Sequence, residues 1–201
     1  MIVFNFIFSL AFIIVFFPVF LLIGLLLKFQ LKNISIFYVQ KRVGYNGVVF
    51  NLYKFRTMIA NADDELQRIL NVNEDARNEY AEYKKLKNDP RIIKGIGVFL
   101  RRSGLDEIPQ FLNILKGDIS IVGPRPYLKD ELDTCNKETV SAILSVKPGI
   151  TGLWQVMDSR NNSTFNERIN IDLEYTRTRD ILMDIKIFFK TIVVMINKSG
   201  V

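Results

Sequence analysis

The stretch SGLDEIPQFLNILKGDISIVGPRP, Ser103 to Pro126, decides how the chain is read. Adjacent carboxylates, Asp106 and Glu107, stand just ahead of Pro109, and proline is at home in the first turn of a helix, where its missing N–H has no intrahelical partner anyway. The acids therefore fall at the cap or first positions of a helix from about Glu107 to Lys116. Ile108, Phe111, Leu112 and Leu115 form one face of that helix, and Gly117 stops it. Carboxylates there can simply offset the helix dipole. They can also hold a metal or attack phosphorus beside an anion drawn to the same end. Downstream, the two prolines around Arg125 stiffen a turn and present a guanidinium whose paired donors match phosphate oxygens. A rigid surface turn with a solvated arginine has the same sequence.

The remainder of the chain narrows these options. Residues 1–27 carry no charge and only Asn5 and Ser9 as polar side chains, so all 27 basic and 21 acidic residues lie beyond Leu27. This is an apolar membrane segment joined to a water-facing domain. It lacks the basic start and small-residue cleavage site of a secretory signal and reads as retained. Pro18 breaks or bends it, giving either a kinked span held by Lys28, Lys32, Lys41 and Arg42, or a hairpin returning to the same face. The formal charge of +6 suits anionic lipid, a phosphorylated substrate or nucleic acid. Beside an apolar anchor, with no helix-turn-helix, zinc or aromatic RNA-binding signature, lipid and phosphate are favoured and nucleic acid is not. A single cysteine and no histidine remove the usual zinc ligand sets and the commonest general base. Phosphoryl transfer suits the remaining carboxylates, lysines and arginines, because positioning and charge neutralisation do most of its work.

Ile34 to Met58 alternates apolar and polar residues around Gly44 to Gly47 and predicts a β-hairpin bearing Lys41, Arg42, Lys54 and Arg56. Residues 61–87 predict one or two exposed helices capped by Asn61 and the Asp63–Asp64 pair. Further helices are predicted from about Gly97, over 128–146, over Asn166 to Thr178 and over Ile181 to Ile196. The last has a broad apolar face suited to core or membrane-surface packing. KPGITGLWQV, Lys147 to Val156, supplies turn glycines, a fixed bend at Pro148 and the only tryptophan.

An apolar run with a central proline, YKFRTM, LRRSGLDEIPQFLNILKGDISIVGPRP and KPGITGLWQV occur here in one order. In that order the chain resembles the bacterial sugar transferases, monotopic phosphoglycosyl transferases that start glycan assembly on polyprenol phosphate. The resemblance covers nearly the whole chain. It implies a mainly helical α+β fold: a re-entrant membrane helix over 1–30, then a cytoplasmic catalytic domain over 31–201 with surface amphipathic helices and a small globule containing the β-hairpin. It implies that Asp106 attacks the β-phosphate of a UDP-sugar, that Glu107 helps hold Mg²⁺, and that undecaprenyl phosphate takes the sugar phosphate from the enzyme. Arg125 corresponds to a phosphate ligand, with Arg101, Arg102, Lys54 and Arg56 as further anion contacts.

The insertion before NDPR and the TGLWQV segment are more similar to the branch using galactose or glucose donors. Membrane lipids, a homodimer and downstream glycosyltransferases complete the implied partners, at the inner membrane of a bacterium, in surface polysaccharide assembly. The family's opening aspartate and basic pair fall here on Asn5, Met1 and Ile2. Its Gly-Arg after LWQV becomes Ser159-Arg160, and the upstream spanning helices and domain of longer members are not seen. A reading from another class is a non-catalytic scaffold tethered to the membrane, its basic face binding anionic lipid or a glycan-assembly partner.

Overall fold

In the computed structural model, which describes residues 2–197, the chain opens with one long helix, α1 (Ile2–Leu31), assigned helical throughout with Pro18 inside it. Its residues are apolar on every side, and it is long and apolar enough to cross a membrane. Yet it lies against the rest of the protein at both ends. Near the start, the Phe12 ring stacks on Phe111 with centroids 3.8 Å apart, and Phe8 meets Phe188 edge-on at 5.4 Å. Near the end, Ile23, Leu27 and Leu31 are buried with Phe55, Leu100 and Ile108. Gln30 Nε2 donates to Lys94 O at 3.2 Å. Most other α1 side chains, such as Phe4, Ile7, Phe17 and Leu22, are exposed.

The hairpin predicted around Gly44 forms: β1 (Phe37–Val43) pairs antiparallel with β2 (Val49–Phe55), Val43 opposite Val49. Asn46 and Gly47 take positive φ to close it. Leu52 and Phe55 are buried, while Asn51 and Val49 face out. Next come α2 (Ala62–Val72) and α3 (Glu74–Tyr83), two helices where the sequence allowed one or two. Asn61 sits at the cap of α2 but makes no cap bond with its side chain. Asn73 does so for α3, accepting from Ala76 N at 3.0 Å. α4 (Ile96–Ser103) ends at Gly104, whose φ of 70° lets the chain reverse into the acidic segment.

The helix predicted over 107–116 divides in two: a 3₁₀ stretch from Leu105 to Gln110, then α5 (Phe111–Lys116). Pro109 has no N–H to join the ladder, and the tight 3₁₀ form is a common way into an α-helix. Gly117 at φ 80° is the stop that was read. The helix predicted over 128–146 is likewise two, α6 (Lys129–Asp133) and α7 (Lys137–Leu144), because Asn136 caps a new start by accepting from Thr139 N.

Between these lies an element the sequence did not reveal. β3 (Ser120–Val122) and β4 (Gly149–Thr151) pair in parallel, setting VGPRP beside KPGITG. The approach demands glycine: a Cβ on Gly152 would strike Gly123 O, and one on Gly149 would strike Gly123 N. α8 (Phe165–Thr178) and α9 (Ile181–Ile196) close the fold, tied by the Tyr175 hydroxyl donating to Asp184 Oδ1 at 2.6 Å. At 16 residues, about 24 Å, α9 is short for a span. It buries Ile187 and leaves Ile185, Phe189, Ile192 and Val193 exposed.

Candidate active site

The acids come together with Lys54 because three elements are pinned. Neighbouring residues of a 3₁₀ turn project about 120° apart, so Asp106 and Glu107 diverge. Asp106 turns inward and is buried, while the Glu107 side chain stays 38% exposed. Asn113, wholly buried on α5, accepts from Tyr53 N at 3.1 Å and donates to Asn51 O at 2.7 Å. This bond pair fixes β2 against the acidic segment and places Lys54 Nζ 2.6 Å from Glu107 Oε1.

Burial pushes the Asp106 carboxyl up to about 6, with the Lys54 and Arg101 charges opposing and the Glu107 charge assisting. Burial would also raise Glu107, but the Lys54 ammonium, the Arg125 charge and a hydrogen bond from Gln110 hold it below the ordinary carboxylate value. The two neighbours are thus driven apart: one stays ionised, and the other is a desolvated carboxylate that titrates just below neutrality.

The Arg125 turn is held by bonds to two other elements. Gly149 N donates to Pro124 O at 2.9 Å, and Val43 N donates to Tyr127 O at 2.9 Å, which locks the turn between β4 and the hairpin. The Arg125 charge acts on Glu107. Its Nε is buried with no hydrogen-bond partner among the described residues.

Of the other predicted contacts, Arg101 is close enough for its charge to lower Asp106, whereas Arg102 is exposed. Arg56 does not join. It lies beyond the end of β2, its guanidinium donating to Ser35 O at 2.8 Å and Phe37 O at 3.2 Å. Pro18 sits within α1.

Several cations were missed by sequence reasoning. The charge of Arg160 acts with Glu107, and Lys85 is depressed first by burial and then by Arg168, Arg160 and Arg125. Arg168 is buried on α8, its guanidinium 4.3 Å from the Trp154 ring centroid and donating to Tyr83 O at 3.2 Å. The signal was present in α8, where the buried stripe Phe165, Arg168, Ile169, Asp172 and Tyr175 carries two charged residues at core positions. A charge in such a stripe must be paired or functional.

No cluster of three carboxylate, histidine or cysteine ligands occurs among the described residues. Magnesium does not require one, since one or two carboxylates plus substrate phosphates serve it. Glu107, whose side chain is partly open, is a carboxylate of that kind.

A family model described as bacterial sugar transferase matches residues 1–198. An uncharacterized sugar transferase of Haemophilus influenzae is 47% identical over 81% of this chain and 34% of its own length. The undecaprenyl-phosphate galactose phosphotransferase of Salmonella typhimurium is 44% identical, with the same 81% and 34% shares. The exopolysaccharide production protein ExoY of Rhizobium meliloti is 42% identical over 79% of this chain and 69% of its own length. The chain therefore spans about a third of the length of two of these relatives.

Proposed function

The chain belongs to the bacterial sugar transferase family, and on that premise we propose that it transfers a sugar 1-phosphate from a UDP-sugar to undecaprenyl phosphate. The observation that carries the reading is the split pair: buried Asp106 beside ionised Glu107, with Lys54 and Arg125 converging. An Asp106 oxygen attacks the donor's β-phosphorus. The new P–O bond forms as the bridging P–O bond breaks, UMP leaves with that oxygen, and the sugar phosphate stays on the aspartate. An oxygen of undecaprenyl phosphate then attacks the same phosphorus and releases Asp106 as a carboxylate, giving the diphosphate-linked lipid sugar.

A value of about 6 leaves Asp106 mostly ionised at neutral pH while its burial strips it of water, which suits a nucleophile. Lys54 keeps Glu107 charged and Asp106 from rising further. The Arg125 guanidinium stabilises charge gathering on the phosphate oxygens. Glu107 would help hold Mg²⁺, which when bound neutralises diphosphate charge and aids departure of UMP.

The galactose phosphotransferase relative supports galactose as the donor sugar, with glucose as the second choice. Contacts at Phe8 and Phe12 as well as at Leu27 and Leu31 keep both ends of α1 on one globule, which a span running away from the domain would not do. This favours α1 staying on the membrane face that carries the domain, with a bend at Pro18 needed for it to enter one leaflet and return, and with the exposed apolar face of α9 at the cytoplasmic surface.

The test is capture of the intermediate. Protein incubated with UDP-galactose labelled in the β-phosphate, without acceptor, is digested and analysed by mass spectrometry. The reading expects a hexose phosphate on the peptide carrying Asp106, lost on adding undecaprenyl phosphate. Label on any other residue, or UMP release with unmodified peptide, refutes it.

A further inference from the structure

Asp172 lies on α8, 47 residues from Arg125, is fully buried, and has no chemical step in the proposed reaction. One of its oxygens, Oδ2, accepts the backbone N–H of Arg125 at 2.9 Å and the hydroxyl of Tyr127 at 2.6 Å. These donors flank Pro126, so a single atom bridges the turn. On the other side Arg42, itself buried and 3.5 Å from Glu131, donates from Nη1 to Pro126 O at 3.0 Å. Together with the Gly149 and Val43 bonds, four backbone groups of the turn are tied to distant elements: Pro124 O, Arg125 N, Pro126 O and Tyr127 O. Two prolines already limit the same segment. The Arg125 Nε, by contrast, is buried and unbonded.

A carboxylate inside the core is costly unless it is paired. Burial raises this one to about 6, and the hydrogen bonds from Tyr127 and the Arg125 backbone, with the charges of Arg125 and Arg168, offset that cost only in part. Oδ1 has no hydrogen-bond partner among the described residues. A fold that needed only a filled core would not place such a group there. Its bonds go to the peptide that carries the arginine.

We infer that Asp172 is a positioning residue: it sets the backbone from which the Arg125 guanidinium is presented to the donor's diphosphate. This rests on the transferase reading above for the identity of the diphosphate, but the clamp itself does not. Loss of Asp172 should therefore be felt through Arg125, and not independently of it.

The experiment has two readouts on the full chain in detergent, using wild type, Asp172→Ala, Asp172→Asn, Tyr127→Phe, Arg125→Ala and the Arg125→Ala/Asp172→Ala pair. Hydrogen exchange of the peptide over 121–128 reads the clamp without any substrate. Asp172→Ala should speed exchange at the Arg125 amide at least tenfold, and Asp172→Asn, which keeps a carbonyl oxygen, should recover most of the protection. UMP release from UDP-galactose with undecaprenyl phosphate reads the consequence. Asp172→Ala should raise the donor KM at least tenfold, and the double variant should match Arg125→Ala within about twofold.

Where Asp172→Ala does not fold, Tyr127→Phe removes one donor and must move both readouts in the same direction. Unchanged exchange at Arg125, or losses that multiply in the double variant, overturns the inference. Faster exchange in Asp172→Ala, beside a wild type that releases no UMP from any donor, leaves the clamp standing and removes the transferase reading.

Discussion

Replacing Asp106 by asparagine should make the protein more stable at neutral pH, because the site holds this carboxylate against its preference. Burial raises Asp106 from 3.8 to about 6. A carboxyl raised in this way binds its proton more tightly when folded than when unfolded. Its contribution is favourable below about pH 4, declines through the window from 4 to 6, and is a full cost above it. A shift of about two units is worth about 3 kcal/mol at pH 7. Asparagine has nearly the same shape and no charge to bury, so that cost disappears.

For a chain of this length about 3 kcal/mol corresponds to roughly 6–12 °C in Tm. Scanning fluorimetry of detergent-solubilised wild type and Asp106→Asn, from pH 7.5 down to 4, reads the difference. The other buried carboxyl raised to about 6, Asp172, titrates in both proteins and cancels. A gain at pH 7.5 that vanishes by pH 4 is expected. An asparagine variant no more stable than wild type at pH 7.5, or one whose gain is flat with pH, refutes the reasoning.

Other perturbations test neighbouring parts. Lys54→Met removes the ammonium that opposes the rise of Asp106, so the acid limb of kcat/KM should move upward from pH 6, with about 100-fold lost at pH 7 and part regained at pH 8.5. Phe111→Ala deletes the ring stacked on Phe12 and should cost about 3 kcal/mol, with limited proteolysis showing earlier cleavage near α1. Gly152→Ala forces a methyl into Gly123 O where no flexible side chain can yield, and should lower stability by about 1–3 kcal/mol or more, read as Tm and as yield of folded protein.

What was legible depended on how local the signal was. The β-hairpin could be read because alternation and a Gly-bounded turn lie within one short segment. The stop at Gly117 needs positive φ, which glycine announces. β3 and β4 could not be read: each is three residues long, too short for periodicity, and the partners Ser120 and Gly149 are far apart in the chain. The pairing brings together two motifs that looked like separate loops.

Lys54 and Arg56 seemed equivalent because alternate residues share a strand face. The strand ends at Phe55, Arg56 N bonds Ile36 O, and the guanidinium folds back on Ser35 and Phe37 instead of the acids. Nothing in the sequence marked Asn113; only the fold shows that its amide binds β2 to α5. The α8 stripe was the missed opportunity, since Arg168 and Asp172 occupy core positions at helical spacing and so marked a buried polar cluster.

The central claim is that buried Asp106 carries the sugar phosphate. Its most direct measurement is UMP release by the solubilised chain with Mg²⁺ and undecaprenyl phosphate, across UDP-galactose, UDP-glucose and UDP-N-acetyl sugars, beside Asp106→Asn. The account predicts release with a hexose donor, galactose first, and at least a thousandfold loss in a variant that is folded and more stable than wild type. Full activity in Asp106→Asn, or no release from any donor by folded wild type, contradicts it.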